Sequence, residues 1–176
     1  MPNEPTTPQP AAKPVPPLPA EALSTARQVE ELADKLSACA DSIHARVMAD
    51  IRRHGGGEVP ESGQAVARAL LDAEIELRQR ANRLYADAAA CIVSSLGQSQ
   101  QKLVQLTVDA AAKIQQITRI SDGITLVARL LGLAAAASTG QVAPILLAVQ
   151  GLKTQLDVIA VHNPPSTKPA TPAEPA

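Results

Sequence analysis

Residues 124–161 read ITLVARLLGLAAAASTGQVAPILLAVQGLKTQLDVIAV, two apolar runs around a Ser138-Thr139-Gly140 break. No charged residue falls between Leu130 and Leu152. As a single run this stretch is long enough to span a bilayer, which takes about 20 apolar residues. The polar break, Gln141 and Pro144 in its middle favour two helices, about 124–137 and about 141–161. Pro144 fits there only in the first turn of the second helix. No Trp or Tyr marks either border, so the aromatic belt of a membrane span is missing. The expected element is a short apolar helical hairpin. Arg129 and Lys153 flank its uncharged run, placed for a membrane interface or for Asp122 or Asp157 in a bundle.

Upstream, the chain is charged and helical in pattern. Val29, Leu32, Leu36, Cys39, Ile43, Val47 and Ile51 recur at three and four residues, the stripe of an amphipathic helix over about 19–54. Pro19 suits its first position and Gly55-Gly56-Gly57 ends it. The triplet lacks the Lys-Ser/Thr of a phosphate loop, so it reads as a turn. A second pattern runs from Pro60 to about Ser121, through Leu70, Leu77, Leu84, Leu96, Leu103, Ala110 and Ile117. As one helix it would reach about 90 Å at roughly 1.5 Å per residue, unless Gly97 kinks or breaks it. Ser121-Asp122-Gly123 is the expected join to the hairpin, with Ser121 as cap. The hairpin is expected to pack on the stripes 29–51 and 103–120.

Thirteen of the 15 prolines lie near the two ends, so residues 1–18 and 162–176 read as disordered Pro-rich tails and 19–161 as one helical domain. The expected fold is all-α: an elongated, coiled-coil-like bundle of long amphipathic helices carrying the apolar hairpin. With Tyr85 as the only aromatic, the core is aliphatic, which favours close helix packing over wide pockets.

Composition narrows function. A net charge of −1 gives no steering toward nucleic acid, and stacking platforms for single strands are missing. His44, His54 and His162 are scattered, and no Ser, Cys or Lys sits in a nucleophile motif, so no enzyme is expected. Asp72, Glu74 and Glu76 read as a solvated, pair-laced face, with Glu74–Arg78 and Glu76–Arg80 at the favoured spacing. Gln98, Gln100, Gln101 and Gln105 read as exposed, with interhelical hydrogen bonds in an oligomer as the alternative. Cys39 and Cys91 read as buried thiols, a disulfide requiring that two helices align them. No cofactor, metal or small-molecule substrate is implied.

The expected function is a non-enzymatic interaction or scaffold protein that self-associates, or binds partner helices, through aliphatic helix faces. The alternative is a membrane-active protein, pore-forming-like or anchored, that inserts the hairpin 124–161 into lipid. A third reading is an amphipathic coat on a lipid or polymer granule. Leu130, Leu131, Gly132, Ala136, Gly140, Ile145, Leu146 and Val149 are the candidate packing or insertion residues. Gly132, Ala136 and Gly140 form a small-residue stripe of the kind that lets helices approach closely. The start, MPNEPTTPQP, has no secretory signal pattern, so a cytoplasmic or peripheral membrane location is expected, or export by a non-classical route.

Overall fold

The computed structural model describes residues 21–53 and 60–163. Five helices account for most of them: α1 (Ala26–Arg53), α2 (Glu61–Ala86), α3 (Gln100–Gln116), α4 (Ile120–Ser138) and α5 (Val142–His162). The fold is an all-α bundle, as the periodicity predicts. Both expected Pro-rich tails, apart from His162 and Asn163, and the glycine triplet lie outside the described residues.

The helices pack in a ring. α1 lies between α2 and α3, α2 also packs on α4, α4 on α5, and α5 closes loosely back on α3. Val29, Leu32, Leu36, Cys39, Ile43 and Val47 all face the core, so the stripe on α1 reads correctly up to Ile51, which is exposed. The hairpin docks differently from expectation. Its main support is α2, through α4, and only marginal packing ties α4 to α1 and α3.

Three boundaries differ from the sequence reading. The first helix starts at Ala26 instead of about Pro19, because Thr25 and Gln28 build a capping box. Thr25 Oγ1 accepts from the Gln28 amide at 3.3 Å, and Gln28 Oε1 accepts from the Thr25 amide at 3.1 Å. Leu23, at φ 58°, lies in a backbone region that no right-handed helix accommodates, so the helix cannot extend through it.

The second difference is the largest. The expected helix 60–121 is two helices separated by irregular residues 87–99. Ser95 and Gly97 both have positive φ, which no right-handed helix accommodates. The segment pairs with the chain just before the start of α1, where Val93 donates to Leu23 O at 2.9 Å and the Ala22 amide to Gln98 O at 2.7 Å. Ser99 then caps α3 by accepting from the Lys102 amide.

Third, the join before the hairpin lies at Ile117-Thr118-Arg119. Ser121 and Gly123 are already inside α4, and Ser121 caps nothing. The turn at the hairpin tip and Pro144 in the first turn of α5 match the expectation.

Candidate interaction surface

By composition, α4 and α5 are the two most apolar of the described helices. On α4, Leu126, Val127, Leu130, Leu133, Ala134 and Ala137 face inward. On α5 the inward positions are Ile145, Leu152, Gln155 and Ile159. The outer stripe of α5, Ala143, Leu147, Gln150, Thr154, Val158 and Val161, is exposed and carries no charge, though Asp157 lies beside it. Leu147 is 70% and Val161 79% exposed, the highest values among the large apolar side chains described. On α4, Ile120, Ile124 and Ala128 continue the exposed apolar surface.

The candidate residues divide sharply. Leu130, Ala136 and Ile145 are buried; Leu131, Leu146 and Val149 are half-buried. The small-residue stripe does not act as one face. Gly132 is exposed, and a Cβ added there would meet nothing within 4 Å. Gly140 matters for a different reason: its φ of +63° makes the hairpin turn, and a Cβ would come 3.2 Å from Ala90 O. The close approach inside the hairpin occurs at Gly151, over which the Arg129 guanidinium lies with Nη1 3.2 Å from a built Cβ. Arg129 therefore lies along α5 and does not reach Asp122.

Asp122 instead meets His162, with Nδ1 2.7 Å from Oδ2, tying the start of α4 to the end of α5. His44 is likewise partnered, its Nδ1 3.1 Å from Glu74 Oε2. His44 and His162 thus have carboxylate neighbours that spacing alone did not reveal, because each pair joins different helices, while His54 lies outside the described residues. Among the described residues, no group of three or more His, Cys, Asp or Glu is arranged to hold a metal ion.

Glu74 departs most from the solvated-face reading. It is 7% exposed and bridges α1 to α2, accepting from Arg78 Nε at 2.8 Å, while Arg78 Nη2 donates to Asp41 at 2.7 Å. Burial pushes the Glu74 carboxyl up, but hydrogen bonds and charge from Arg78 and His44 outweigh it and leave it below its ordinary 4.5. A carboxyl lowered by folding contributes stability above its unfolded value, and that stability is lost as pH falls through the folded one. Glu74→Gln should therefore cost about 1 kcal/mol at pH 7, modest because Arg78 and His44 are solvent-screened. It should also flatten the acid limb below pH 4.5 in urea titrations. An acid limb identical to wild type would refute this role.

Cys39 and Cys91 are unpaired and buried. Cys39 Sγ points at Thr107 O, 3.4 Å away on α3, and burial pushes its thiol up to about 12. Cys91 Sγ faces Ser138 O at 3.8 Å, fastening residues 87–99 to the hairpin tip. Burial, and then the charge of Asp87, raise its thiol too. Both are neutral thiols buried within the fold.

By length and composition, α4 and α5 are both long and apolar enough to cross a membrane. The class defined by these features is a helical bundle whose last two helices form an apolar hairpin, buried on one face and exposed on the other. Comparison with known protein families, curated proteins and solved structures finds no match to this chain.

Proposed function

We propose that the protein is a non-enzymatic helical interaction module that self-associates through the outer face of its α4–α5 hairpin. The observation that carries this reading is the exposed face made by Ala143, Leu147, Gln150, Thr154, Val158 and Val161, bordered by Asp157, with Leu147 and Val161 largely in water. The stripe recurs at three and four residues, the spacing at which two helices pack along a shared seam. Exposed large apolar side chains, here Leu147, Val158 and Val161 with the neutral Gln150 and Thr154 between them, mark interaction sites when they share a face. The wild-type chain should sediment as a dimer or larger species at about 50 µM, the micromolar range of a modest interface. Leu147→Glu, which places a charge in the middle of the seam, should yield monomer with an unchanged far-UV circular dichroism spectrum. A wild-type chain that sediments as a monomer sinks the proposal.

A second reading is insertion of the hairpin into lipid. It is favoured by the apolar character of both helices together with the loose seam between α3 and α5. Leaving the bundle would require α4 to part from α2, exposing Leu126, Leu130 and Leu133. Flotation of the full chain with phosphatidylglycerol-containing vesicles at pH 7 and pH 5 separates the readings. Co-flotation supports insertion; a chain that oligomerises and stays with the protein fraction supports the seam.

A further inference from the structure

An aliphatic core without rings should close tightly, yet one end of this bundle does not. A partly open cavity of about 410 Å³ lies where the C-terminal ends of α1 and α3 meet the starts of α2 and α4. That volume falls in the usual range of small-molecule sites, about 300–1,000 Å³. Ile43, Val47, Val66, Leu70, Ile117 and Val127 form its walls. Ile51 and Ile120, 44% and 58% exposed, stand at its edge.

The rim is polar, with Arg46, Asp50 and Arg119 as its charged residues and Ser62 and Thr118 beside them. Arg46 is already engaged, donating to Asp50 at 2.8 Å and to Gln115 O at 3.3 Å. Arg119 is exposed and forms no ion pair among the described residues. It is also the N-cap of α4, and Pro60 is the N-cap of α2; neither helix start is closed by a side-chain hydrogen bond. The nearest acid on α4, Asp122, is taken up by His162. The remaining first-turn acid, Glu61 on α2, is exposed. Among the described residues, the rim therefore offers one guanidinium without an ion pair, Arg119, above an aliphatic chamber.

We propose that this cavity binds a fatty carboxylate, its alkyl chain among the Ile, Leu and Val walls and its head on Arg119. Aliphatic walls match a flexible alkyl chain, which needs no stacking partner. A carboxylate suits a guanidinium in fork geometry. The site is separate from the outer stripe of α5, so it stands or falls independently of self-association.

The test uses the full chain, laurate as ligand and displacement of a dansyl-labelled fatty acid as readout. Laurate should bind saturably at one per chain. Ala67→Phe, which adds a ring at a half-buried position in the wall, should weaken laurate by about tenfold or more. Arg119→Gln should weaken laurate by about three- to tenfold and leave dodecanol within about twofold, since only the acid has a charge to lose. Leu147→Lys should bind laurate like wild type. Circular dichroism checks each variant, and Ala67→Leu replaces Ala67→Phe if the latter does not fold. Three results overturn the proposal. One is absence of saturable laurate binding. Another is wild-type affinity in a folded wall variant together with loss in Leu147→Lys, which moves the ligand to the hairpin surface. The third is equal weakening of laurate and dodecanol by Arg119→Gln, which removes the head-group pairing.

Discussion

Leu130→Ala should lower the unfolding free energy by about 3 kcal/mol, whereas Gly132→Ala, two residues further along α4, should raise it by about 0.5–1 kcal/mol. Leu130 is fully buried in the main core cluster, on a helix held between α2 and α5. Truncating it removes apolar burial and leaves a void that close-packed helices only partly collapse to fill. Gly132 sits in a helix interior, is exposed and has open space where a Cβ would go. Alanine there restricts the unfolded chain and touches nothing in the folded one. Urea titrations of both variants at one protein concentration measure the contrast, since self-association would make stability concentration-dependent. A stabilised Leu130→Ala, or a Gly132→Ala that loses more than about 1 kcal/mol, would contradict the packing of α4 described above.

The same contrast shows what could be read from the chain. Period and polarity identified both helices of the hairpin, because an uncharged run broken by Ser-Thr-Gly and Pro144 admits few backbones. They identified the α1 stripe because Val29 to Val47 recur on one face of a helix whose other face is charged. The function of the small residues was not legible. Gly132, Ala136 and Gly140 share a spacing, but spacing does not say which face a bundle covers. Only the docking of α4 on α2 decides that Ala136 is inside and Gly132 outside.

Residues 87–99 were the hardest to read. Apolar positions at Leu84, Ala88, Ile92, Leu96 and Leu103 keep a helical beat through the segment. Gly97 was the visible weakness, but a single glycine costs only about 1 kcal/mol in a helix and does not by itself end one. What ends it is non-local. The chain just before α1 offers Leu23 O and the Ala22 amide, and pairing with them outweighs continued helix. The cavity at the other end was hidden for a related reason. The identities of Ile43, Val66 and Ile117 say that they are buried, whereas the angle at which four helix ends meet decides how much space they leave. Glu74 and the histidine–carboxylate pairs likewise depend on which helices become neighbours. The candidate site was thus legible as a segment and largely illegible as a surface.

Gln100→Leu should be the most damaging polar substitution, costing about 3 kcal/mol, although glutamines at 98–105 look like ordinary surface. Gln100 is only 7% exposed, and its amide is used on both sides. Oε1 accepts from the Leu23 amide at 3.1 Å; Nε2 donates to Gln28 O at 3.0 Å and to Glu31 Oε2 at 2.8 Å. One side chain therefore satisfies the backbone before α1, the first turn of α1 and a carboxylate on that helix. Leucine conserves the size and removes every one of these bonds. The Leu23 amide would be stranded beside the buried Ala22 and Leu23 side chains, where an unsatisfied donor costs about 1–3 kcal/mol. Because Ala22 and Leu23 also hold residues 93 and 98, the loss should spread to the α2–α3 connection. Hydrogen exchange gives the distinguishing readout. The amides of Ala22, Leu23 and Val93 should lose protection together, while those of Leu130 and Leu133 in α4 keep theirs. If instead exchange rises uniformly, Gln100 contributes only to global stability; if nothing changes, water replaces its bonds and the glutamine does not fasten the two segments.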